Sequence, residues 1–254
     1  MTSASTGLGD GRAGPGRERF HDAVVETLGR RIVGGALTFG ASIGTEQDLS
    51  AEFGTSRTVI REAVKILSAK GIIDSRPRSG TRVTHPSSWH LLDPQVLAWR
   101  LGSRNQAEQA SADLYELRAS FEPTAAELAA DRSSPQDLQR MKHALLGMAL
   151  ASTIEEKIEH DLAFHNAILA ATGNVLFQAF GALISAALRH IFHVGLERTP
   201  ADDERWIKWH QDVYEAIASG QPDAARRQMI KLLNEGQEVQ KLHRDRSKRG
   251  AMPE

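Results

Sequence analysis

From Thr45 to Val83 the apolar positions follow helical spacing twice and then give way to two short strand-like runs. Thr45 with Asp48 three residues later is a capping-box signal, because a hydroxyl can accept the third amide of a new helix while the carboxylate reaches back. Leu49 and Phe53 sit four apart on one face, and Gly54 breaks this helix before Thr55 and Ser56 offer a second N-cap. Between Ser56 and Lys70 the residues Val59, Ile60, Ala63, Val64, Ile66 and Leu67 fall on one side of a helix, with Arg57, Thr58, Arg61, Glu62 and Lys65 on the other. Gly71 suits the position after a helix, and Ile72–Arg76, Pro77–Gly80 and Thr81–Val83 read as strand, turn and strand. Two short helices followed by a hairpin outline a winged helix-turn-helix.

Beyond His85–Ser88 the pattern changes. A linker helix is expected to begin near Pro94, and helical periodicity then covers roughly residues 106–131, 135–150, 154–172, 174–196, 202–219 and 221–243. Breaks fall at Ser134-Pro135, Gly173-Asn174 and Gly220-Gln221-Pro222, where a C-terminal glycine, an N-cap or a first-turn proline supplies the reason. The expected fold is mainly α: a winged helix-turn-helix over 18–86, a linker over 87–105 and an antiparallel helical bundle over 106–243. Residues 1–17, rich in Gly, Ser and Ala, read as a disordered tail, and 244–254 as a basic tail.

Composition narrows the functional classes. At 254 residues, with 25% charged and 41% hydrophobic residues, the chain has room for two cored domains of an ordinary soluble protein. The absence of cysteine excludes disulfides and thiolate metal sites and suits a reducing cytoplasm. Leu176–Phe192 is apolar, but Gln178, Ser185, Arg189 and His190 interrupt it, which favours a buried helix over a membrane span. Charge is unevenly placed. Residues 18–86 carry ten basic and eight acidic side chains, a net of +2, whereas 87–254 carry nineteen and twenty-three, a net of −4. From Gly54 to Thr84 seven Lys or Arg face two acids, the footprint expected for phosphate contact.

The run Gly54-Thr55-Ser56-Arg57-Thr58-Val59-Ile60-Arg61-Glu62-Ala63, with the wing Arg76-Pro77-Arg78-Ser79-Gly80-Thr81, resembles the GntR family of bacterial transcription regulators. In that family the N-terminal end of the recognition helix enters the major groove. The resemblance implies DNA contacts by Ser56, Arg57, Thr58 and Arg61, with Gln47 on the preceding helix and Arg78 and Gly80 in the wing. Gln47 stands where the family often has Arg, and Arg78 where it commonly has Gly. Arginine suits guanine because its fork meets O6 and N7 together.

In the helical half, Asp161 and His165 lie four apart, which puts their Cβ atoms about 5–6 Å apart on one helix face and allows them to chelate an ion. His210 lies on a later helix that a bundle could fold back. One carboxylate and two imidazoles suit Zn, Ni, Mn or Fe(II), although an isolated Asp–His pair at this spacing is more often a surface pair. Leu114–Arg118 with Glu122-Pro123, Asp161–His165, Gly173-Asn174 and His210 with Glu215-Ala216-Ile217 resemble the ligand-binding FCD domain of FadR-type members. That resemblance implies that Asp161, His165 and His210 are metal ligands, and that a further His belongs where Leu232 stands here. The site is then either a three-ligand site completed by water or effector, or a polar pocket without tight metal. Arg118 could pair with an effector carboxylate, or with Glu122 four residues away. His190 and His193, three apart, are candidates for a substitute ligand or for a polar pocket wall. Trp89, Leu92-Asp93, Val96-Leu97, Trp99 and Glu197-Arg198-Thr199 resemble the galactonate-operon repressor branch, which implies a sugar-acid effector.

The expectation is a cytoplasmic, homodimeric, metabolite-responsive repressor of a carbohydrate or organic-acid operon. Its partners would be a palindromic double-stranded DNA operator and a small carboxylate, with no membrane contact. Two rivals stand beside it. A metal-dependent hydrolase or lyase would use Asp161, His165 and His210 but leaves the basic module unexplained, and an architectural DNA binder leaves those three residues without a purpose.

Overall fold

A computed structural model of the chain describes residues 15–76, 80–103, 105–192 and 200–250. They fall into two compact units, Met1–Leu91 and Leu92–Glu254.

The first unit contains α1 (Pro15–Val33), β1 (Ser42–Gly44), α2 (Glu46–Glu52), α3 (Arg57–Ala69), β2 (Ile73–Arg76) and β3 (Gly80–Val83). The local signals act as expected. Thr45 accepts from the Asp48 amide while the Asp48 carboxylate accepts from the Thr45 amide, closing the capping box of α2. Ser56 caps α3 by accepting from the Val59 amide at 3.4 Å. Gly71, at φ +75°, ends that helix, and a Cβ there would also lie 2.1 Å from the Ser88 carbonyl oxygen, so both conformation and space demand glycine.

Val59, Ile60, Ala63, Val64 and Leu67 bury one face of α3, and α1, whose Val24, Val25, Leu28 and Ile32 are also buried, packs against it. β2 and β3 pair antiparallel with Asp74 opposite Arg82, a favourable cross-strand charge pair. β1 adds to the far side of β3, giving the order β1-β3-β2 with a register shift between Ser42 and Gly44. Residues 87–91, read from sequence as the start of the linker, close on this unit: the Trp89 indole donates to Thr84 Oγ1 and the His90 amide to the Lys70 carbonyl.

The second unit contains α4 (Pro94–Leu101), α5 (Ala107–Arg132), α6 (Pro135–Leu150), α7 (Ile154–Ala171), α8 (Val175–Phe192), α9 (Pro200–Ala218) and α10 (Pro222–Gly250). Asp93, Ser134 and Thr153 cap α4, α6 and α7 with their side chains. The main core joins α5, α6, α7, α9 and α10 through Met141, Met148, Phe164, Ile168, Val213, Ile217 and Met229. A smaller cluster, including Leu97, Leu114, Leu162, Ile184 and Leu188, joins α4, α5, α7 and α8. α8 is not buried along its whole length as its sequence suggests. Ile184 and Leu188 are inside, but Val175 is 72% exposed and Leu176 66%. Among the described residues no helix is long and apolar enough to cross a membrane.

Candidate functional site

In the first unit, α2 and α3 share one exposed polar surface. Gln47 on α2 and Arg57, Thr58 and Arg61 on the first turns of α3 are all exposed, while the apolar face of α3 is turned into the core. Ser56 is committed through its hydroxyl to the cap of α3. Gly80 opens β3 at φ +73°, in the left-handed region that glycine enters without a Cβ penalty. Arg78 lies outside the described residues. One feature of this surface was not anticipated from sequence. Arg61 is bidentate to Glu46 of α2, Nε to Oε1 at 3.2 Å and Nη2 to Oε2 at 2.9 Å. This pair holds the Glu46 carboxyl below its usual range through the hydrogen bond from Arg61, and it raises Arg61 through the same bond.

In the second unit, Asp161 and His165 of α7 meet His210 of α9, and all three side chains are buried. One ligand atom from each lies within 4.8 Å of the others, the grouping of metal-binding type found among the described residues. His210 Nε2 is 2.9 Å from Asp161 Oδ1, His165 Nε2 is 3.8 Å from the same oxygen, and His210 Nδ1 is 2.7 Å from the Trp206 carbonyl. α5 closes the other side. Arg118 donates from Nε to Glu122 Oε1 at 2.5 Å, with Nη2 3.4 Å from Oε2, and Glu122 Oε2 in turn lies 2.7 Å from His165 Nδ1. The last contact is close, but its angles do not make a hydrogen bond, so His165 Nδ1 is a buried polar atom without a directed partner. Of the two pairings open to Arg118 in the sequence, the one seen here is with Glu122.

The protonation pattern follows from this packing. A backbone carbonyl can only accept, so His210 Nδ1 carries the proton it shares with Trp206. Burial pushes His210 below the ordinary histidine value and outweighs the raising effect of its hydrogen bond with Asp161. Burial opposes ionisation of Asp161, but the hydrogen bond with His210 and the nearby His165 and Arg118 hold its carboxyl well below the usual range. One carboxylate and two imidazoles converging within 4.8 Å are a donor set that fits a divalent ion. At Glu122 burial likewise opposes ionisation, and the Arg118 guanidinium, followed by His165, overcomes it and brings the carboxyl down to about 2.

Leu232, at the place of the further histidine, is buried in the main core and offers no ligand. His193 lies outside the described residues. The approach of Glu122 to His165 was missed from sequence; its only signal was the four-residue spacing to Arg118.

Comparison with known proteins agrees with both halves. Residues 20–83 match the model of the bacterial regulatory proteins of the gntR family, and residues 113–235 match the FCD domain. The galactonate operon transcriptional repressor of Escherichia coli (strain K12) is 32% identical over 217 residues, covering 84% of this chain and 93% of that protein. The Glc operon transcriptional activator of Escherichia coli (strain K12) is 27% identical and covers 83% of this chain and 85% of its own length. A solved structure of Lar, which controls expression of the Listeria monocytogenes agr system, superposes with a TM-score of 0.60 at 18% identity, covering 88% of this chain and 95% of that one, and so shares the fold. With a gntR-type winged helix followed by an FCD domain, and a relative of that identity along nearly its whole length, this chain belongs to the GntR family of DNA-binding transcription regulators, not to an enzyme class.

Proposed function

We propose that the chain is a cytoplasmic, dimeric repressor of a carbohydrate or organic-acid operon, released from a palindromic operator when a small carboxylate such as a sugar acid binds the helical unit. The single observation that carries the sensor reading is the buried convergence of Asp161, His165 and His210 within 4.8 Å, with Arg118 and Glu122 against it. The named function of the galactonate repressor supports the sugar-acid class.

On the DNA side, Arg57, Thr58 and Arg61 read base edges in the major groove, while Gln47, Ser56, Arg78 and Gly80 hold the backbone. Two copies supply two recognition helices for two half-sites, and the exposed apolar start of α8 at Val175 and Leu176 suits contact between copies.

On the sensor side, Asp161, His165 and His210 would hold a Zn, Ni or Mn ion. Bound there, it supplies an electrophilic centre with open positions for an anionic oxygen. The chain's own residues do the rest. Trp206 fixes the His210 tautomer, Glu122 holds the buried Arg118 beside the site, and Arg118 offers a guanidinium fork to a carboxylate that displaces this pairing. An effector acts only through unequal affinity for the DNA-competent and incompetent states.

The test is elemental analysis of the purified chain, followed by calorimetric titration with galactonate and related sugar acids before and after chelation, in wild type and His165→Ala. Binding that weakens on chelation and in the variant is the expected result. Equal affinity in all four samples would reduce the site to a polar pocket without a metal role.

A further inference from the structure

We propose that Glu46 is a positioning residue for base reading: it holds the Arg61 guanidinium in one orientation on the DNA-facing surface and cancels its charge toward phosphate. This rests on the reading of Arg61 as a groove-facing residue given above.

The geometry is specific to the folded α2–α3 pair. Glu46 is the first residue of α2 and Arg61 lies in the second turn of α3, fifteen positions later, yet the two meet fork to fork at 3.2 and 2.9 Å. The carboxylate takes the edge of the guanidinium formed by Nε and Nη2. The other edge, Nη1 and the second N–H of Nη2, is left pointing away from Glu46, and it carries two parallel donors of the kind that guanine O6 and N7 accept together. An arginine already held in this way has lost much of its rotamer freedom before DNA arrives, so less ordering accompanies the base contact.

Charge acts in the same direction. Non-specific attraction to DNA scales with the number of cations available to phosphate. A neutralised Arg61 contributes less to that attraction than to a directed base contact, so Glu46 raises the ratio of specific to non-specific binding. The pair does little for folding, because its side chains are 59% and 38% exposed and exposed ion pairs contribute little to stability. Lys65 and Glu62 also form a pair on α3, but within one helix and three residues apart, where the partner turns with the same helix and cannot brace the cation from another element.

The test uses the full chain and two duplexes: one enriched by the wild-type protein from a randomised pool, the other a shuffled version of it. Binding is followed by fluorescence anisotropy across a salt series, with circular dichroism as the fold control. Glu46→Gln is expected to weaken binding to the enriched duplex about tenfold and to tighten binding to the shuffled one, with a salt slope steeper by about one. In an Arg61→Ala background the same substitution should leave enriched-duplex affinity unchanged. If Arg61→Ala binds the enriched duplex as wild type does, the reading of Arg61 falls and the role of Glu46 with it. If Arg61→Ala is impaired but Glu46→Gln binds as well as or better than wild type, or stays impaired to the same extent without Arg61, the role of Glu46 alone is overturned.

Discussion

Replacing Glu122 by Gln tests the electrostatics of the sensor core directly. Arg118 and Glu122 are both buried, and the substitution leaves a guanidinium inside the protein without its anion. Breaking one side of a buried pair costs about 3–5 kcal/mol. The depression of Glu122 from 4.5 to about 2 gives a similar figure, about 3 kcal/mol at about 1.4 kcal/mol per pH unit. Urea denaturation of chelated protein at pH 7 should therefore show Glu122→Gln less stable by about 3 kcal/mol. In thermal melts that corresponds to a fall of roughly 6–12 °C for a domain of this size.

The pH dependence has a definite sign. Because the folded carboxyl lies below its unfolded value, its contribution is fully present above pH 4.5 and is lost as pH falls toward about 2. Glu122→Gln should lack that share of the acid destabilisation. The double variant Arg118→Met with Glu122→Leu, which removes both charges and keeps the volume, should match or exceed wild type. A Glu122→Gln protein within about 1 kcal/mol of wild type at pH 7 would refute the buried-pair argument.

Arg57→Ala should lower affinity for an enriched duplex by roughly 5- to 150-fold, the range of a lost bidentate base contact, with unchanged circular dichroism; undiminished affinity would remove Arg57 from the reading face. Sedimentation equilibrium should find the full chain dimeric at micromolar concentration and Leu176→Glu shifted to monomer, since a charge would enter an apolar face. A wild-type monomer would defeat the dimer reading, and an undisturbed Leu176→Glu dimer would move the contact away from the start of α8.

Much of the winged unit is legible in the chain because its signals are local. The Thr45–Asp48 box, the Ser56 cap and Gly71 each act within a few residues, so they mark the ends of α2 and α3 whatever else the chain does. Val24, Val25, Leu28 and Ile32 of α1 also follow a helical spacing, yet the expected outline began only at Thr45 and left this helix out. β1 is different. It is three residues long with Ile43 alone buried, too short for a pattern, and it exists because β3 offers it an edge nearly forty residues away.

The same division runs through the sites. The four-residue spacings of Asp161 with His165 and of Arg118 with Glu122 place each pair on one helix face by backbone geometry alone. Composition and periodicity also separate a basic reading module from an acidic helical one. Which faces meet is a matter of packing. The return of α9 onto α7 brings His210 to Asp161, and the packing of α5 against α7 brings Glu122 to His165. The α2–α3 turn sets the carboxylate of Glu46 against Arg61. Each of these contacts is short-ranged in space and long-ranged in sequence, so its energy is realised only when the apolar faces of separate helices have been buried together, and that is decided by the tertiary structure.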